Sequence, residues 1–278
     1  MKAVLTLVVS CLMLMHAVMA TAQDSVRTRK PFAMQWDSVF TERTPFTEIQ
    51  GGLSSWSLDQ GPSLAGSMVV GAEFGFESTK LLDGTSVARS QSNGLYVRHA
   101  IAGDLGTSEG TVSGWRFGFT DATSYGYTFG DNTKSGVYLS VGSSPLSWFA
   151  IQPSADQLPR FADGLRFGEA SSAAINVRVA EPVSITASAE WALVYERHLF
   201  WYWAGSSIIE GAADGVAAWF VREIGKHAPA AMPVMHFLVR NGIAAGFKAL
   251  RASEMNWPFN SAPALSMITY SVGVRVHF

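Results

Sequence analysis

Glu196, His198, Ser206 and Ser207 lie close together along the chain and supply an acid, an imidazole and two hydroxyls, the groups that serine-type acyl transfer requires. Such a site is recognised by geometry, and nearness in sequence is weak support for it; His198 beside Trp201 reads more readily as an interface residue. No Gly-rich phosphate loop, His-Glu-x-x-His pair or Gly-x-Ser-x-Gly elbow occurs. The sequence therefore indicates no catalytic residue, no cofactor-binding residue and no metal ligand. A second set offers electrostatic chemistry instead. Glu73, Arg98, Arg116, Arg178, Glu190, Glu196 and Arg275 fall on the polar sides of segments that alternate polar with apolar. Enclosed together, these residues can neutralise one another as a network of ion pairs, or the arginines can line a path for an anion. The pairing reading is preferred.

The elements that carry these charges are β-strands. Ile268, Tyr270, Val272, Val274, Val276 and Phe278 alternate with Thr269, Ser271, Gly273, Arg275 and His277, and period two means one apolar and one polar face. Val183 to Tyr195 and Met68 to Phe76 repeat the pattern, as do Trp115, Phe117 and Phe119, and Ile175, Val177 and Val179. Shorter candidates lie at 47–58, 93–104, 123–130, 135–142 and 146–152. His99 falls on the apolar side of its segment, which suggests a bulge or a wrong facing there. Charged residues are 15% of the chain, against about 25% in soluble domains, while glycine (26) and tryptophan (9) are abundant. Few charges and greasy strand faces suit an outer surface in lipid. A net charge of −2 with no basic block excludes nucleic acid as a partner.

The two ends sharpen this. Residues 1–22 carry Lys2, an apolar run from Ala3 to Met19 and the small triplet Ala20-Thr21-Ala22, followed by a polar and charged stretch. That is the pattern of a cleaved signal peptide. The single cysteine, Cys11, lies inside it, so cleavage leaves a mature chain without thiols. Val8-Val9-Ser10 before Cys11 also resembles a lipoprotein cleavage box, with an unusually short apolar run ahead of it. At the other end, the alternation closing on Phe278 resembles the C-terminal strand of bacterial outer-membrane β-barrel proteins. The resemblance covers about a dozen residues and the general strand pattern, and points to no specific family. It implies export to the bacterial outer membrane. It further implies outer-membrane lipid and the β-barrel assembly machinery as partners, with Tyr270, Val272, Val274, Val276 and Phe278 as the assembly signal.

The expected fold is mainly β: an antiparallel transmembrane β-barrel of about ten strands (eight to twelve), with a helical hairpin before the last strand. The expected organisation is a signal peptide at 1–22, an N-terminal periplasmic segment at 23–46 and the barrel at 47–278. Tight turns are expected near Asp121-Ala122-Thr123, Ser143-Ser144-Pro145 and Ala180-Glu181-Pro182. The link from Ser78 to Ser92 fits badly, being long for a periplasmic turn. Trp201-Tyr202-Trp203 suits an interface belt. Ser206-Ser207 would cap a first helix running to Gly225, and Pro233 would open a second ending near Arg251, a hairpin at about 206–251. Gly211 with Gly215 and Gly242 with Gly246 would let the two helices touch closely. Asp214, Arg222, Glu223, Arg240 and Lys248 argue against helices that cross a membrane, and a cap or rim position is expected for them. The expected function is that of a non-enzymatic outer-membrane barrel, an anchor or small channel with its lumen occluded by Arg–Glu pairs. The alternatives are an outer-membrane lipid-modifying enzyme and a soluble periplasmic β protein.

Overall fold

Alternating side chains become eight long antiparallel strands in a computed structural model of the protein: β1 (Thr44–Leu58), β2 (Gly66–Leu81), β3 (Val87–Leu105), β4 (Val112–Thr128), β5 (Gly136–Pro153), β6 (Leu165–Ala180), β7 (Val183–Val194) and β8 (Leu265–His277). Residues 43–278 are described, apart from 83, 106–109, 130–134, 155–157, 163 and 198–199. The expected signal peptide and nearly all of segment 23–46 lie outside them. Each strand pairs with the next, and β1 pairs with β8 in the register Leu53↔Tyr270, so the sheet closes on itself. Closure leaves no strand edge unpaired.

The count is eight, not ten. Segments 114–119 and 123–130 belong to one strand, β4, and 135–142 and 146–152 to another, β5. The expected turns at Asp121-Ala122-Thr123 and Ser143-Ser144-Pro145 are register irregularities inside those strands, between Gly118 and Asp121 and between Ser144 and Ser147. Asp121 and Ser143 are direct partners, so the two irregularities stand side by side. Pro145 has no N–H to give to a ladder and is tolerated in a strand at such a break. The third turn forms, with β6 ending at Ala180 and β7 starting at Val183. The awkward link also shortens: Ser78, Thr79 and Lys80 pair with Gln91, Ser90 and Arg89, so only 82–86 connect β2 to β3. β6 begins at Leu165, ten residues ahead of its legible part.

An eight-stranded barrel is wide enough only for its own side chains. Toward the rim where β7 hands over to β8, the interior is apolar: Trp56, Val69, Val112, Phe149, Ile151, Leu265 and Met267 pack with Leu158 and Phe161 of the β5–β6 connection. Toward the rim that carries Thr44 and Phe278, the interior is charged and hydroxylated. Outside, Ile49 is 68% exposed, and Leu53, Phe74, Leu95, Trp115 and Val272 share this apolar surface. His99 is on that outer side as its alternation implies, stacked on Trp115 with ring centroids 4.2 Å apart, so no bulge is needed.

The hairpin consists of α1 (Phe200–His227), a 3-10 turn (Pro229–Ala231) and α2 (Met232–Ser253). It starts at Phe200, so Ser206-Ser207 is not its cap. It neither caps the mouth nor sits on the rim. α2 packs along the outer wall over β4 to β7. Val221 of α1 and Met232 and Val239 of α2 meet Val87, Tyr125 and Tyr127, which point out of the barrel. Tyr127 donates to the carbonyl of Ala230 at 2.7 Å, so the hairpin's tip reaches the rim opposite the one at which it begins. The lumen is already filled, which leaves the outer wall as the surface the hairpin can bury.

Candidate functional site

Four carboxylates and four guanidiniums meet in the lumen, each placed by the inward parity of its strand. In one layer Glu190 of β7 accepts from Arg98 of β3 and Arg116 of β4, with Arg116 Nη1 at 2.5 Å and Nη2 at 2.6 Å. Arg116 Nε donates to the hydroxyl of Tyr96 at 3.0 Å, and both arginines lie over the Tyr96 ring. In the next layer Arg275 of β8 reaches Glu48 of β1 at 2.7 Å, Glu77 of β2 at 3.0 Å and Glu73 at 4.0 Å, and lies 3.9 Å from the centre of the Phe46 ring. Arg178 of β6 also pairs with Glu77, and Thr120 donates to Glu73 at 2.9 Å. Enclosed charges cost several kcal/mol each unless compensated, and here each has a partner of opposite sign.

Glycine makes the room. A Cβ on Gly71 would stand 2.6 Å from Cγ of its cross-strand partner Arg98, and one on Gly273 would stand 2.8 Å from the carboxylate of Glu48. The space left among these groups is a polar cavity of about 80 Å³. That suffices for a few water molecules, each with a ~30 Å³ share of liquid volume.

Six of the seven residues singled out by sequence, Glu73, Arg98, Arg116, Arg178, Glu190 and Arg275, are in this network. Glu196 is not. It lies beyond the end of β7, with Arg160 at 3.4 Å and Arg197 at 3.7 Å, outside the enclosed lumen. Glu48 and Glu77 were missed. Glu77 continues the parity of Glu73 and Gly75, and extending that strand past Phe76 would have found it. Glu48 alternates with Ile49 just as Gln50 alternates with Gly51, a signal weakened by the glycines that follow.

A second charged cluster stands outside the barrel. Glu169 lies on the outer face of β6, beside outward-facing Leu193 of β7, and accepts from Lys248 and Arg251 of α2. Arg251 also meets Glu210 of α1 at 2.8 Å, and its Nε donates to Ser206 Oγ at 2.9 Å. Asp214 of α1 pairs with Arg240 of α2, Nε to Oδ1 at 2.6 Å. Ser206 is thus buried against an arginine, which is structural work. His198 lies outside the described residues.

The glycine pairs do not mediate helix contact. A Cβ built on Gly211, Gly215, Gly242 or Gly246 meets nothing within 4 Å. The close approach is elsewhere, at Gly225, where a Cβ would stand 2.7 Å from the Met232 sulfur. Gly242→Ala is therefore expected to stabilise the hairpin by about 0.5–1 kcal/mol, since mid-helix glycine gives up helix propensity with no packing in return. Denaturant titration in lipid or detergent reads this; a loss of stability would restore the contact role.

No protein-family model and no curated protein matches the chain. Among solved structures it is similar to the crystal structure of Neisserial surface protein A (NspA), with 10% sequence identity and a TM-score of 0.37 over 86% of this chain and 100% of that one.

Proposed function

We propose that the protein is an exported, non-enzymatic barrel of the bacterial outer membrane, an anchor or interaction platform whose lumen carries no steady flux. The observation that carries this reading is the pairing of an apolar outer surface with an interior filled by side chains at two levels, the layer of Trp56, Phe149, Phe161 and Leu265 and the Arg–Glu network. Water outside such a wall would make exposed Ile49, Phe74, Leu95 and Val272 a standing liability, whereas hydrocarbon solvates them. On the same reading, lipid and the β-barrel assembly machinery are its partners. Tyr270, Val272, Val274 and Phe278 are exposed on the outside of the closing strand, available to be read before closure with Val276 between them.

Fractionation and planar-bilayer recording test this together. The protein should be recovered with outer membranes in a heat-modifiable form, and the purified barrel should show no large stable conductance. A steady anion-selective current would overturn occlusion and turn the arginines into pore lining. Recovery in the soluble periplasmic fraction without detergent would overturn the membrane reading.

A further inference from the structure

No helix among the described residues is long and apolar enough to cross a membrane by hydropathy alone, yet the hairpin is built inside-out. Between Tyr202 and Arg222 the exposed residues of α1 are Ile208, Ile209, Gly211, Ala212, Gly215 and Phe220. Ahead of Ser253 the exposed residues of α2 are Val234, Leu238, Gly242 and Ala245, at spacings of four, four and three, which trace one stripe. Ile208 is 73% and Leu238 59% exposed. A helix on a soluble surface shows water its charges and hides its apolar stripe. Here the charges of this stretch are paired: Lys248 and Arg251 turn inward to Glu169 and Glu210, and Arg240 meets Asp214 at the edge between the helices.

We propose that the outward face of the hairpin meets membrane lipid, so that α1 and α2 are intramembrane companions of the barrel wall and not a water-exposed loop. This rests on the membrane reading of the barrel and extends it. Charges that would each be expensive in hydrocarbon are cancelled in pairs between helix and helix or helix and wall. Ala204 to Val221, the part of α1 whose two acids are both paired, spans ~27 Å at 1.5 Å per residue, close to the ~30 Å hydrocarbon core. The flanks suit the two headgroup levels: Phe200, Trp201 (82% exposed) and Tyr202 at one end, Arg222, Lys226 and His227 at the other. The face is also continuous with the apolar surface of the barrel, since α2 lies directly on β4 to β7.

The test uses full-length protein carrying Cys11→Ser, with single cysteines introduced as Ile208→Cys and Leu238→Cys on the hairpin, Val272→Cys on the barrel and Lys226→Cys at the tip. Each variant is given a bimane label and reconstituted into phosphatidylcholine vesicles with or without brominated acyl chains. Unlabelled samples are treated with a membrane-impermeant maleimide. The expected result is bromolipid quenching at the hairpin positions within about 2-fold of Val272→Cys, and maleimide reaction about 10-fold slower than at Lys226→Cys, because hydrocarbon excludes the aqueous reagent. Rapid maleimide labelling of the hairpin with Val272→Cys still quenched overturns the inference and leaves the membrane reading standing. Protection from both probes means that a second copy or another protein covers the face, and also overturns it. Water access at Val272→Cys overturns both.

Discussion

Glu190→Ala is expected to lower the unfolding stability of the barrel by about 3–5 kcal/mol, the usual cost of removing one partner from a buried ion pair. Glu190 is the carboxylate that both Arg98 and Arg116 engage, and Arg116 and Glu190 are buried. Its loss strands two guanidiniums beside the apolar layer of Phe149 and Met267. Guanidinium titration in lipid vesicles at neutral pH measures the effect. Adding Arg98→Met and Arg116→Met should recover most of the loss, because an apolar filling of similar volume serves about as well as the ions. A single-variant change under about 1 kcal/mol would mean that water already hydrates these charges, and the occluded lumen would be untenable.

Glu169→Ala should have a comparable effect on one element. Lys248 and Arg251, both almost fully buried, converge on this single carboxylate, and Glu210, 22% exposed, is their remaining acid. Losing Glu169 leaves two cations against the barrel wall with one acid between them, and docking of the hairpin should weaken by about 3–5 kcal/mol. Limited proteolysis should then cut within 200–253 while the closed barrel keeps its heat-modifiable mobility. Glu210→Ala should do markedly less. Equal protease resistance of Glu169→Ala and the parent chain would show that apolar contacts at Val221, Met232 and Val239 hold the hairpin unaided.

The strands nearest the C-terminus were legible because each residue changes side: Arg275 and Gly273 against Val274 and Val272, Glu190 against Trp191. That alternation supplied the barrel, its apolar outside and most of the lumen charges. It fails where a strand is not solvated differently on its two faces. Gly168 to Ala174 of β6 reads as small and polar throughout, since its outward Glu169 and Ser171 are covered by the hairpin, and the strand was invisible there. Ser78 to Lys80 and their partners Arg89 to Gln91 are polar on both faces, so alternation gives no signal there. Asp121 and Pro145 carry strong turn chemistry that two neighbouring strands absorb together. The hairpin's existence was readable from helical spacing, but its place was not. That depends on Glu169 meeting Lys248 and Arg251, a match between two segments each of which, alone, looks like a misplaced charge.

The seam between β1 and β8 has a kinetic consequence. It joins Phe46 to His277, nearly the full described length, so it is the contact of greatest sequence separation and the one whose loop closure costs most entropy. Arg275 arrives only with that seam, and among the described residues it pairs with Glu48 and shares Glu77 with Arg178 and His277. Until the sheet closes, these acids face solvent and are content; once it closes, they are compensated by the strand that shuts them in. The ionic latch is therefore set by the β1–β8 seam itself, and a sheet in which that seam is still open keeps Glu48 and Glu77 hydrated instead of sealed in.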